Sequence, residues 1–102
     1  MSDSGLEFIS KLERIVQSRL ASPDDSSYSA TLVSAGCKRV AQKVGEEAVE
    51  LALAAIGGDR EEIVDEAADL LYHMIVLLAS QQLTLSDISI RLETRHNDRI
   101  EK

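Results

Sequence analysis

Apolar residues recur along most of the chain at three- and four-residue intervals, the spacing of helices rather than the alternation of strands. Leu6, Ile9, Leu12, Ile15, Val16 and Leu20 form one such stripe, and Ser4-x-x-Glu7 has the form of a capping box, which predicts a first helix over roughly residues 5–21. The polar segment Ser22-Pro23-Asp24-Asp25-Ser26-Ser27 then breaks the pattern, because Pro and short side chains that bond their own backbone favour turns. A short helix from about Tyr28 to Ala35 is expected to stop at Gly36, which suits the left-handed residue after a helix end. A long helix follows over about residues 37–56 and ends at Gly57-Gly58. Asp59-x-x-Glu62 has the form of a new N-terminal cap, opening another helix to about Ser80. Thr84 or Ser86 is expected to cap a last helix carrying Leu85, Ile88 and Leu92 toward a charged tail, Glu93 to Lys102.

These elements predict an all-α fold in which the two long helices form an antiparallel hairpin. The helix over 37–56 has a broad apolar side, Val40, Ala41, Val44, Ala48, Leu51, Ala52 and Ala55, wider than the stripe of a surface helix, so packing from several directions is expected. In the following helix the run Leu70 to Leu78 is apolar nearly all round and is expected to be deeply buried. That is more apolar area than a lone 102-residue chain covers, which predicts a homodimer or higher assembly whose hairpins make a four-helix-bundle core.

At 102 residues and 44% hydrophobic composition the chain has room for one domain, 1–102, and a modest core. Cys37, its single cysteine, excludes an internal disulfide framework and fits a reducing compartment. The opening MSDSGLEF has no basic region followed by an apolar run, and no apolar stretch is long enough to span a bilayer, so a cytoplasmic protein is expected. A net charge of −7 repels a phosphate backbone, and Phe8, Tyr28 and Tyr72 make no row of base-stacking platforms; nucleic acid is not an expected partner. A small polyanionic substrate would need bridging cations.

The acids change this picture. At about 100° per residue, Arg39, Lys43, Glu46, Glu47 and Glu50 fall within one arc of roughly 80–100°. On the next helix Glu66 and Asp69 share a face, with Asp65 on its flank and His73 one turn beyond. Carboxylates gathered from two helices repel one another unless a cation with a preference for hard oxygen ligands sits between them, and magnesium is the natural candidate. Spacing alone also fits a solvated helix face. His73, in an apolar helix, reads as a hydrogen-bonded core imidazole, and Arg91, Arg95 and His96 suit the C-terminal end of a helix dipole.

Glu46-Glu47-x-x-Glu50 followed by Glu66-x-x-Asp69 resembles the metal motif of the all-helical nucleotide pyrophosphohydrolases. The flanking segments, Ser27-Tyr28-Ser29-Ala30 to Leu32, Ala41-Gln42-Lys43-Val44-Gly45-Glu46-Glu47, Asp69-Leu70-Leu71-Tyr72-His73 and Leu92-Glu93-x-Arg95-His96, resemble the phosphoribosyl-ATP pyrophosphohydrolase branch. The resemblance runs from about Leu6 to His96; Ser29 stands where a Thr is common, which keeps the hydroxyl. It implies magnesium-dependent hydrolysis of phosphoribosyl-ATP to phosphoribosyl-AMP and pyrophosphate, the second step of histidine biosynthesis. On that basis Glu47, Glu50, Glu66 and Asp69 are expected metal ligands, with Glu46 either a further ligand or the base; Glu46 and Glu47 are the expected catalytic carboxylates. Arg39 and Lys43 are expected to bind phosphate oxygens, or else to pair with neighbouring Glu side chains. Ser27, Tyr28 and Ser29, at a helix start, offer hydroxyls and N–H groups to an anion, although Ser27 equally suits a plain cap. Some relatives carry a fused cyclohydrolase domain that this sequence lacks, so the next step is expected from another protein. The acid motif by itself also fits a general nucleoside triphosphate pyrophosphohydrolase, and the amphipathic pattern by itself a helical oligomerisation module.

Overall fold

A computed structural model of the chain describes residues 4–22 and 27–101, which form helices and no strand. The helices are α1 (Ser4–Ala21), α2 (Tyr28–Ser34), α3 (Cys37–Gly57), α4 (Arg60–Ser80) and α5 (Leu85–Glu101). The expected loop at Pro23, Asp24, Asp25 and Ser26 lies outside the described residues, as does the Ser4 side chain read as a cap.

Local signals set most of the boundaries. The Ser27 hydroxyl accepts from Ala30 N–H at 3.3 Å and caps α2. Gly58 takes the left-handed conformation, φ 84° and ψ 3°, and its N–H closes α3 onto the Ala54 carbonyl at 3.0 Å. Immediately afterwards Asp59 accepts from the N–H groups of Glu61 and Glu62 at 3.0 and 3.3 Å, starting α4. Thr84, not Ser86, caps α5: its hydroxyl accepts from Asp87 N–H while the Asp87 carboxylate accepts from Thr84 N–H. Gly36 departs from expectation. With φ 109° and ψ 157° it is extended rather than compactly left-handed, a conformation open to glycine because it has no Cβ, and it turns α2 sharply into α3.

α4 is the centre of the packing, with α1, α2 and α3 all laid against it. Val16 of α1, Leu32 of α2, Val40 of α3 and Ile75 and Val76 of α4 form the buried cluster, flanked by half-buried Ile9, Leu12, Leu20, Leu71 and Leu77. Every residue of the Leu70 to Leu78 run is buried or half-buried, as its all-round apolar character predicts. α3 differs from expectation. α4 covers the side bearing Val40, Glu47 and Ala54, but Ala41, Ala48, Val49, Ala52, Leu53 and Ile56 stay exposed, because among the described residues no other helix covers that side. α5 also differs, since the charged tail is helical to Glu101. It is moored at its start, where Leu85 N–H donates to Glu13 Oε2 at 2.7 Å, and from Ser86 onward its described side chains are exposed. No helix among the described residues is long and apolar enough to cross a membrane.

Removing buried methyl groups from the centre of this core should be costly and removing a cap less so. Ile75→Ala is expected to lower the unfolding free energy by about 2–5 kcal/mol and Asp59→Ala by about 1 kcal/mol, read by urea titration of helicity. Equal, small losses would mean that Ile75 is not at the centre of the core.

Candidate active site

With only Gly58 and Asp59 between them, α3 and α4 must run antiparallel, and the register is set from both ends. At the open end Gln81 Nε2 donates to Cys37 Sγ at 3.7 Å. Nearer the turn, that register puts Glu47 across from Asp69 and Glu50 across from Glu66. One carboxylate oxygen from each of Glu47, Glu66 and Asp69 lies within 4.8 Å of the others. Their settings differ: Glu47 is buried at 6% exposure, Glu66 is half-buried and Asp69 faces solvent.

A single ammonium neutralises part of this charge. Lys43 Nζ sits 3.2 Å from Glu47 Oε2, and that hydrogen bond holds the Lys43 pKa above its ordinary value despite some desolvation. The other oxygen of Glu47, Oε1, is buried without a partner, and so is Glu66 Oε1. Burial pushes the Glu66 carboxyl above the usual carboxylate range, reinforced by a hydrogen bond with Glu50 and by the charges of Glu50, Asp69 and Glu47. Buried carboxylate oxygens without donors are costly, and these two belong to carboxylates of the one cluster. A hard divalent ion with oxygen ligands at about 2.0–2.1 Å tolerates ligand oxygens up to roughly 4 Å apart, so a slight closure of side chains suffices. The residues fit such an ion.

The remaining predicted residues divide around this centre. Glu50 joins the cluster through Glu66. Glu46 lies on its rim, 3.8 Å from Lys43 Nζ and accepting from Gln42 Nε2 at 3.0 Å. Arg39, one turn before Lys43, is exposed. Ser27 is buried at the cap of α2, and Ser29 is buried with its hydroxyl 2.6 Å from the Tyr72 hydroxyl. Tyr28 is about half exposed, and its hydroxyl meets His73 Nε2 at 2.9 Å.

His73 connects this contact to the acids. Its Nδ1 lies 2.7 Å from the Asp69 carbonyl, which can only accept, so Nδ1 carries the proton and in the neutral ring Nε2 accepts from the Tyr28 hydroxyl. The rings of Tyr28, Tyr72 and His73 pack with centroids 5.3–6.0 Å apart. The sequence reading anticipated a bonded core histidine but not the role of Tyr72. The signal was present: Asp69, Tyr72 and His73 share one helical face at three- and four-residue spacing.

Residues 9–96 match the family described as phosphoribosyl-ATP pyrophosphohydrolase. The chain belongs to this family. It is 52% identical over 92 residues to the histidine biosynthesis bifunctional protein of Photobacterium profundum, covering 90% of this chain and 44% of that one. Similar relatives of the same name occur in Shewanella oneidensis, 52% identical over 89 residues (87% of this chain, 42% of that one), and Campylobacter jejuni, 49% over 89 residues (87% and 43%). The chain thus spans less than half the length of the curated relatives it matches.

In this phosphoribosyl-ATP pyrophosphohydrolase family member the acids form the candidate site. An open cleft of about 220 Å³ between α3 and α4, lined by Glu50, Leu53, Ala54, Glu62 and Glu66, adjoins them. Roomier hollows at Gln17, Leu20 and Thr84 and along Lys11, Arg14 and Arg19 gather no carboxylates, so volume is a poorer guide here than donor chemistry.

Glu66 gives the cluster a pH signature. A carboxyl with a folded-state pKa above its unfolded value binds more protons when folded, so its contribution to stability is full below the unfolded pKa and is lost as pH rises through the folded one. Without divalent ions, the melting temperature is expected to fall as pH rises through the raised Glu66 pKa. Added magnesium chloride should restore it, with a smaller effect on the acid side of the raised Glu66 pKa, where the carboxyl keeps its proton. A melting temperature indifferent to magnesium at every pH would remove the cation from this site.

Proposed function

We propose that the chain hydrolyses the α–β phosphoanhydride of phosphoribosyl-ATP, giving phosphoribosyl-AMP and pyrophosphate, as its part in histidine biosynthesis. The observation that carries this reading is the meeting of carboxylate oxygens from α3 and α4 within 4.8 Å in a chain of this family. Glu47, Glu50, Glu66 and Asp69 are the proposed magnesium ligands, with Glu46 either joining them or acting as base. When bound, magnesium supplies positive charge against the triphosphate and the departing pyrophosphate.

The chain's own groups complete the task. Lys43, tied to Glu47, holds that carboxylate in register and offers its remaining protons to phosphate oxygens. Arg39, exposed on the preceding turn, presents a planar fork to the same chain of phosphates. Ser27, Tyr28 and Ser29 bring α2 to the nucleotide side of the site. Water attacks the α-phosphorus in line: its oxygen bonds to phosphorus as the bond to the bridging oxygen breaks, the bridging oxygen leaves on pyrophosphate, and Glu46 takes the proton. All of these groups lie in one unit, which the proposal treats as a single domain over 1–102.

The proposal extends to a homodimer. The chain exposes 7374 Å², whereas a compact monomer of 11.2 kDa would expose roughly 5,700 Å². Val49, Leu53 and Ile56 of α3 and Val64 of α4 form an apolar side of the hairpin that a second hairpin would cover as a four-helix core.

Glu50→Gln and Asp69→Asn each remove a charged oxygen at nearly constant volume, and each is expected to lower kcat by about 10²–10³-fold with helicity unchanged. Near wild-type turnover in both at saturating magnesium would overturn the ligand assignment. In water enriched with oxygen-18 the label should appear on phosphoribosyl-AMP, and ATP should be hydrolysed more slowly. Label confined to pyrophosphate would move the attack to the β-phosphorus, and equal rates on ATP would favour a general triphosphate hydrolase. Sedimentation equilibrium should give at least twice the chain mass; a folded, active monomer would refute the dimer.

A further inference from the structure

The geometry points to the outward face of the Tyr28 ring as the platform on which the purine of the substrate nucleotide stacks. This inference rests on the nucleotide reading above and adds to it the group that recognises the base. Three features make the ring a prepared surface. Its hydroxyl is fixed at 2.9 Å from His73 Nε2. Tyr72 backs it at a centroid distance of 6.0 Å and an interplanar angle of 25°, while the His73 ring abuts it edge-on. Yet 51% of the residue remains exposed. The hydroxyl satisfies His73, but that bond gives no reason for so much of an immobilised aromatic ring to face solvent.

Position supplies the rest. His73 lies one helical turn from Asp69 and bonds its carbonyl, so a single imidazole separates the Tyr28 hydroxyl from the backbone of an acid in the cluster. A nucleotide whose phosphates lie against Lys43 and the acids would carry its base toward the tip of α2. Of the three aromatic residues, Tyr72 is half-buried behind Tyr28, and Phe8 sits near the start of α1. Stacking needs a ring fixed before the base arrives, and both ends of Tyr28 are held.

The test separates base from phosphate. Calorimetric titration with AMP and with ribose 5-phosphate, both with magnesium, is made on the wild type, Tyr28→Leu and Tyr28→Phe. Tyr28→Leu should weaken AMP binding by about 5- to 150-fold and leave ribose 5-phosphate unchanged, and Tyr28→Phe, which keeps the ring but loses its tether to His73, should lose clearly less AMP affinity than Tyr28→Leu. In the wild type, tyrosine emission, which arises from two tyrosines and no tryptophan, should be quenched by AMP and not by ribose 5-phosphate. That arm stands even if the leucine variant fails to fold. Unchanged AMP binding in Tyr28→Leu, an equal loss for both ligands, or an equal loss in Tyr28→Phe would each overturn the platform. Turnover of phosphoribosyl-ATP by the wild type is measured alongside: its absence would sink the proposed reaction, whereas base-selective loss in Tyr28→Leu would still uphold the platform.

Discussion

Glu47 and Glu66 each bury a carboxylate oxygen that no described group satisfies, and the packing of α3 on α4 holds the two carboxylates in one cluster with Asp69. Left to themselves, these charges would push the helices apart. Of these two carboxylates Lys43 pairs with Glu47, so most of the repulsion falls on Glu66, which answers it by holding its proton more tightly and sharing a hydrogen bond with Glu50. The hairpin keeps the charges together because Val40, Ile75 and Val76 are buried in the core that α3 and α4 share, each contributing about 1.5–3 kcal/mol by removal from water. The site stores repulsion that the core opposes and that a hard cation would relieve.

The same packing explains why α2, only seven residues long, is held firmly. An isolated helix of that length is not stable in water. Here Leu32 enters the core, Ser29 bonds Tyr72, and Tyr28 bonds His73, so α2 is fastened to α4 by one apolar and two polar contacts. Both polar contacts fall within one turn of Asp69. A displacement of α2 would therefore be felt at the acids through the His73 ring, which donates to the Asp69 carbonyl.

Much of this architecture was legible in the sequence because it is written locally. Gly57-Gly58-Asp59 announces both the end of α3 and the start of α4, and a two-residue turn leaves antiparallel pairing as the outcome. Once that register is known, the juxtaposition of Glu47 with Asp69 is arithmetic. What periodicity did not convey is depth. Glu46, Glu47 and Glu50 share one arc, yet Glu47 alone of the three is buried, because which part of an arc faces the neighbouring helix depends on helix rotation. Helical spacing likewise could not say that Val49, Leu53 and Ile56 of α3 would stay exposed, nor that Gly36 would be extended. The last helix was expected to end near His96, where cations suit a helix C-terminus, but it runs on through Arg99 to Glu101.

Charge balance then limits how a polyanionic nucleotide can be told apart from any other. The chain carries a net charge of −7, and Lys43 is the cation paired with the acids, so in the proposed reaction direct attraction by side chains is weak and most of the phosphate binding would fall to bridging ions. Ions treat all triphosphates alike. Discrimination must therefore come from parts of the substrate beyond the phosphates, read by groups that are fixed in advance and do not depend on charge. Around this site such groups are concentrated where α2 crosses α4, in the hydrogen-bonded set of Ser29, Tyr72, Tyr28 and His73. His73 bonds Tyr28 on one side and the Asp69 carbonyl on the other, so on the proposed reading a change that loosens that imidazole should disturb both the base-recognising ring and the acids.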